Sequence, residues 1–180
     1  MGCFGSSARR AYYRKVVIAG LSNAGKTTLV KRLLHPEISL HAESAPPATI
    51  GIESSTGTLR GVPFNLVDLS GAKAFRFHWA NYHPIADLII FVIDAADYDA
   101  LPEAVQVLKE QILDNEKLNH IPLLIVGNKT DKAGAIGCEQ LSSYLINVNQ
   151  NERTYDVLST SAITGHGTQQ VVMKLLEYCE

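Results

Sequence analysis

The 180-residue chain predicts a single α/β domain, a mostly parallel sheet with helices on both faces. Three observations carry that expectation. Compact apolar runs at residues 86–93 and 122–126 have the continuous hydrophobicity of strands covered on both sides. Segments with helical spacing separate the strand candidates along the chain. A glycine-rich loop at residues 20–25 joins the first strand candidate to the first helix candidate.

The elements follow in order. Residues 15–19 form a short apolar run ending at Gly20, a buried strand. Residues 26–34 place Leu29, Val30, Leu33 and Leu34 on one side of a helix. Residues 35–50 hold His, Ser, Pro and Glu without a sustained period and read as a loop or mobile segment. Gly57, Gly61 and the alternation of Val62, Phe64 and Leu66 predict a hairpin. One helix is expected over 101–113, with Val105, Leu108 and Ile112 at helical spacing, and another over 137–146. A short strand near 155–158 precedes a last helix, 168–178, which buries Val171, Val172, Leu175 and Leu176.

Composition excludes several classes. Sixteen basic residues against eighteen acidic ones leave no broad positive field for nucleic acid. The longest greasy run, 88–93, stops at Asp94 and is far too short to cross a bilayer. Cys3, Cys138 and Cys179 form no close pair, which argues against a disulfide framework or zinc knuckle and for a reducing compartment. No secretory apolar segment precedes the domain, which is expected to span 15–180 after an N-terminal segment, 1–14.

Gly20, Leu21, Ser22, Asn23, Ala24, Gly25, Lys26 and Thr27 match the full phosphate-loop pattern in the strand–loop–helix context it requires. Backbone amides of such a loop turn toward phosphate oxygens, and helix-terminal amides add further donors. Lys26 is expected beside the β and γ phosphates, and the Thr27 hydroxyl on magnesium. The loop alone establishes a nucleoside phosphate and leaves the base undecided.

Asn128, Lys129, Thr130 and Asp131 follow the strand at 122–126. A buried carboxylate at Asp131 can accept hydrogen bonds from guanine N1 and its exocyclic amine, which adenine cannot supply in that arrangement. The stem of Lys129 can lie across the purine while Asn128 ties neighbouring loops together. Ser161 and Ala162, after the last strand, can offer amides to the guanine carbonyl. Asp68, at the end of the strand from Phe64, can hold magnesium through a water, and the Gly71 amide can approach the γ-phosphate. Thr49, in the irregular segment, is the candidate second hydroxyl on the ion when the third phosphate holds that segment in place.

These residues together resemble the small GTPases, and within them the ADP-ribosylation factor and factor-like family. The resemblance runs from Lys15 to Tyr178. Gly20 to Thr28 is similar to the family's first loop, and Ala48, Thr49, Ile50 and Gly51 to its first switch, where the family usually has proline before the threonine. Residues 64–71, with Trp79 and Tyr82, resemble the strand and second switch; 51–68 has the family's interswitch length.

The resemblance implies a small-GTPase domain with a six-stranded sheet, binding GTP or GDP with Mg2+ and acting as a monomeric switch through a sliding interswitch hairpin. It further implies an exchange factor, a GTPase-activating protein and effectors as partners, with effectors docking at Ile52, Trp79 and Tyr82; packing explains Trp79 equally well. A cytoplasmic protein that associates reversibly with membranes, at the Golgi or cilium, is the corresponding expectation.

Two departures bear on mechanism. Ala72 stands where the family usually carries the glutamine that positions the attacking water, and Ser70 where it prefers glycine. Slow hydrolysis is therefore expected, with a non-hydrolysing guanine-nucleotide scaffold as the alternative. A nucleoside-phosphate kinase shares the phosphate loop but would not ordinarily carry Asn128 to Asp131. The stretch before Thr49, holding Glu43, Pro46 and Pro47, is longer than the family's by roughly five residues. At the N-terminus, Gly2 through Ser6 fit the myristoylation pattern. One such chain binds bilayers only marginally; Cys3 is placed for a second acyl group, and Arg9, Arg10, Arg14 and Lys15 for anionic lipid.

Overall fold

The computed structural model describes residues 12–41, 46–149 and 153–179. Gly2, Cys3, Ser6, Arg9, Arg10 and Glu43 lie outside the described residues. The first strand, β1 (Arg14–Gly20), leads through the loop into α1 (Lys26–Leu34). A hairpin follows, β2 (Ile52–Leu59) and β3 (Val62–Leu69), closed by Arg60 and Gly61 at φ 47° and 88°. Two consecutive left-handed residues match the twist of the flanking strands, which is why a two-residue turn suffices here.

A 3-10 turn (Lys73–His78) and α2 (Trp79–Tyr82) lead to β4 (Leu88–Asp94) and α3 (Leu101–Leu108). The remainder is β5 (Leu123–Asn128), α4 (Cys138–Ile146), β6 (Asp156–Ser159) and α5 (Thr168–Tyr178). The six strands lie in the order β2-β3-β1-β4-β5-β6, with only β2–β3 antiparallel. The expected fold class is the observed one.

Strand alternation divides the core into two layers. Val17, Ala19, Ile89, Phe91, Leu123 and Ile125 face Leu101, Val105 and Leu108 of α3 and Leu141 and Leu145 of α4. Their neighbours Val16, Ile18, Leu88, Ile90, Leu124 and Val126 face Leu29, Val30 and Leu33 of α1 and Val171 and Leu175 of α5. A sheet covered on both faces needs such uninterrupted apolar strands.

The helix expected over 101–113 is corrected: its α-helical part ends at Leu108, and Lys109–Leu113 is one wider π turn. The Asp114 amide donates to the Lys109 carbonyl at 2.9 Å, five residues back, and the Lys109 ammonium meets Asp114 at 2.5 Å. Arg153, buried, donates to the carbonyls of Ile112 and Ile121, both at 2.8 Å. That guanidinium takes a carbonyl at the end of the turn, so the helix has a partner there other than its own next amide.

Arg32, on α1, is also buried and makes four bonds to carbonyls. Nε donates to Ala162 at 2.9 Å and Nη2 to Ile163, while Nη1 donates to Pro36 at 2.9 Å and Ile38 at 2.8 Å. One planar cation thereby joins the loop after β6 to the start of the long segment before β2. Arg32→Met leaves these acceptors to find other donors, and is expected to lower stability by about 3 kcal/mol. Urea unfolding checks this: the midpoint falls with the slope retained, and an unchanged midpoint would remove the clamp.

Candidate functional site

The chain passes from β1 to the β2–β3 hairpin on one side and to β4 on the other. The C-terminal end of β1 is thus the point where the strand order reverses, the usual place for a ligand in an open α/β sheet. A cavity of about 320 Å3 lies there. It is lined by Ser22, Asn23, Gly25, Lys26, Thr27 and Thr28 from the first loop and helix, and by Pro46, Pro47, Ala48 and Thr49 from the long segment. Ser70 and Gly71 line it after β3; Asn128, Lys129, Asp131, Lys132, Ala162 and Ile163 do so after β5 and β6. Gly20, Leu21 and Ala24 complete the loop and are all buried.

The loop is built for an anion. Asn23 and Gly25 have φ 62° and 90°, and α1 starts with no side-chain cap and no acidic residue in its first turn. Its first amides therefore remain available to an oxyanion. The Lys26 ammonium is buried and donates to the Leu21 carbonyl at 2.7 Å. Burial lowers its pKa to about 8; Asp68 opposes that shift and the Arg76 charge adds to it. Arg76 itself is held by Nε to the Gly71 carbonyl at 3.0 Å and by Nη1 to Glu103 at 2.8 Å.

Three oxygens converge next to Lys26. Thr27 Oγ1 lies 2.9 Å from Thr49 Oγ1 and donates to Asp68 Oδ2, and Thr49 Oγ1 lies 3.3 Å from the same carboxylate oxygen. Asp68 is 2% exposed, and its Oδ1 has no partner. Burial raises the Asp68 pKa, opposed by the Thr27 hydroxyl, the Lys26 charge and Thr49. Two hydroxyls and a buried carboxylate with an unused oxygen form a hard-oxygen set suited to magnesium, which keeps several of its waters. Gly71 packs against the loop so closely that an added Cβ would stand 2.3 Å from the Leu21 carbonyl carbon and 2.4 Å from the Ser22 nitrogen. Only glycine allows that approach.

At the other end, Asn128 Nδ2 donates to the Ala24 carbonyl at 3.0 Å, and Asn128 Oδ1 accepts from Thr160 Oγ1 at 3.1 Å and the Ala162 amide at 3.0 Å. This is the tie between loops that was expected. Lys129, at φ 68°, crosses the first loop, its Cε 3.8 Å from where a Gly25 Cβ would be. Its ammonium ends on Asp94 Oδ2 at 2.7 Å. Asp131 accepts from Ser161 Oγ at 2.5 Å.

Several expectations change. Asp131 is exposed, not buried, so its carboxylate becomes desolvated only when a base covers it. The Ser161 amide donates to the His166 carbonyl at 2.9 Å, and that of Ala162 is shared with Asn128, so a purine carbonyl competes for the latter. Trp79 is 1% exposed, with its indole N–H on the Ser70 carbonyl at 3.0 Å and its ring edge-on to Phe91. It is a core residue and offers no docking surface; Ile52 and Tyr82 are half-buried against the same layer. Ala72 heads the 3-10 turn with a methyl group only, and the His78 ring lies tilted against Phe77, centroids 3.8 Å apart. Sequence reasoning missed Asp94, Lys132 and Ile163. A carboxylate ending a buried strand was the available signal for Asp94.

The depressed Lys26 pKa has a signed consequence. Below about pH 8 both folded and unfolded chains hold this proton, and the folded one carries a burial penalty. The penalty lifts as pH rises toward 10.5, where the unfolded lysine also loses its proton. A polyphosphate beside the amine reverses the shift. Titration calorimetry in buffers of differing ionisation enthalpy is expected to show GDP binding take up about one proton near pH 9 and little near pH 7. Equal uptake at both, or uptake persisting in Lys26→Met, would contradict the assignment.

Comparison with known proteins agrees with this geometry. The family model described as the ADP-ribosylation factor family matches residues 4–179. ADP-ribosylation factor-like protein 2 of Dictyostelium discoideum is 31% identical over 92% of this chain and 89% of its own. ADP-ribosylation factor-like protein alp41 of Schizosaccharomyces pombe is 34% identical over 84% and 78%. Among solved structures, the Arl6 BBS3 small GTPase of Trypanosoma brucei, with the nucleotide analogue GppNp bound, superposes with a TM-score of 0.80 at 27% identity, covering 93% of this chain and 98% of that one. The mammalian SRP receptor, at 22% identity and a TM-score of 0.79, shares the fold. Members of the matched family bind guanine nucleotides with magnesium, hydrolyse GTP and work with exchange factors, activating proteins and effectors. The chain belongs to the ADP-ribosylation factor family of small GTPases, as an ADP-ribosylation factor-like nucleotide-binding switch.

Proposed function

We propose that this switch is a slow GTPase that recruits effectors at a membrane, with the residues of the β1 cavity as its nucleotide site. The observation that carries the reading is the convergence on one cavity of a buried ammonium, two hydroxyls and residues of the Asn128–Asp131 loop, with the half-satisfied buried carboxylate of Asp68 bonded to those same two hydroxyls. Amides from Gly20 through Thr28 hold the phosphates, with Lys26 at the β and γ groups. Asp131 and Lys129 take the guanine edge and face, and Ser161 and Ala162 bound the base from the loop after β6. Thr27 and Thr49, with Asp68 through a water, would hold magnesium, which when bound neutralises charge on the phosphate oxygens. The Gly71 amide faces the terminal phosphate.

Ala72 can neither orient nor polarise a water, which supports slow turnover. The same methyl group favours the second reading, a guanine-nucleotide scaffold without meaningful hydrolysis. Among the described residues no helix is long and apolar enough to cross a membrane. Membrane association in this reading depends on acylation at Gly2 and Cys3, with trafficking at the Golgi or cilium as the corresponding setting.

The nucleotide retained on purification is expected to be GDP or GTP; equal retention of ATP would remove the guanine reading. Single-turnover phosphate release in Ala72→Gln is expected to exceed that of the native chain by about tenfold or more. Equal, measurable rates would free residue 72 of blame, and no turnover in either would favour the scaffold. Mass spectrometry of protein made in a eukaryotic host is expected to show a myristoyl group on Gly2; an unmodified glycine would remove the lipid step.

A further inference from the structure

One polar group at the phosphate end remains without a role. Ser70 is 2% exposed, and its Oγ has no hydrogen-bond partner. A buried hydroxyl left unpaired is destabilising, so its retention asks for a ligand. Its backbone is held from both sides. The Ser70 amide donates to the Gly51 carbonyl at 2.9 Å, and its carbonyl accepts from the Trp79 indole at 3.0 Å.

The direction of the side chain follows from the strand. Ser70 lies two residues beyond Asp68, and the Gly51 bond extends the β2–β3 ladder to it, so both side chains stand on one face. Asp68 carries the other unpartnered oxygen of the site. Ser70 lines the same cavity as Lys26, Thr27, Thr49 and Gly71.

Sheet order fixes which end of a nucleotide this is. Asn128 and Asp131 follow β5, and Ser70 follows β3; β1 and β4 lie between them. Three strand spacings separate the two, about 14 Å. With the base over β5 and β6, and the phosphate loop after β1, the group over β3 is the phosphate farthest from the base.

We propose that Ser70 is a ligand for the terminal phosphate, its hydroxyl donating to a γ-phosphate oxygen beside the Gly71 amide. The chain thereby distinguishes triphosphate from diphosphate with a side chain, at a position where the resembling family usually has glycine. The inference rests on the guanine-nucleotide reading of the cavity.

The test uses the full chain with Mg2+ and fluorescently labelled GDP and GppNp. In Ser70→Ala and Ser70→Gly, affinity for GppNp is expected to fall about tenfold relative to that for GDP, whose own affinity changes little. The phosphorus resonance of the bound γ group is expected to shift in the variants, with the α and β resonances unmoved. With GDP bound, Ser70→Ala is expected to unfold at the same urea concentration as the native chain or a higher one, because it removes an unpaired buried hydroxyl. An unchanged GppNp-to-GDP ratio, or equal losses for both nucleotides, overturns the role of Ser70 and leaves the nucleotide site standing. Failure of the native chain to bind either nucleotide overturns the site itself, and the role of Ser70 with it.

Discussion

Lys26 and Asp68 sit beside each other in a buried site and are not satisfied by each other. The ammonium turns back on its own loop at Leu21, and the carboxylate keeps one oxygen free. Burial pushes both pKa values toward neutrality, downward for the lysine and upward for the acid. A fold that holds two such groups out of water, without closing them on one another, stores an electrostatic deficit that a polyphosphate and its cation relieve together. The loop geometry, the uncapped start of α1 and the close approach of Gly71 all serve to keep that deficit open.

The same arrangement explains why the ends of β1 and β3 must stay in register. Ile18 pairs with Asp68, so the strand that leads into the first loop also sets the depth of that carboxylate. Asp68 lies in β3 and Ser70 just beyond its end, two residues along. A slip of β3 along β1 by a full pleat, about 7 Å, would withdraw both oxygens in one motion. A sliding hairpin, as the family resemblance implies, would then act on the metal and the terminal phosphate as one unit.

Much of the fold was legible because it is local. The period of α1 and α5, and the apolar runs of β4 and β5, depend on residues within a turn or two, and their bounds follow from glycine, proline and charge nearby. The break at Leu108 was not legible: the partner its turn meets, Arg153, lies 41 residues from the carbonyl it takes at Ile112. The site divides in the same way. The first loop and the Asn128–Asp131 motif are contiguous and could be read directly. The Lys129–Asp94 pair joins two strand ends, and the exposure of Asp131 depends on what surrounds it. Trp79 illustrates the limit best: its spacing fits either a surface aromatic or a core residue, and only the depth of its pocket separates them.

That pocket also makes the molecule self-reporting. Trp79 is the sole indole of the chain, and it is bonded to the carbonyl of Ser70, the residue that follows β3. Its emission originates from a buried setting against Phe91 and His83, a histidine that burial holds neutral down to about pH 4. Any rearrangement of residues 70–79 that frees the indole N–H must change the colour and quantum yield of that emission. Movement of that segment can therefore be followed optically in the unlabelled protein, with no competing indole.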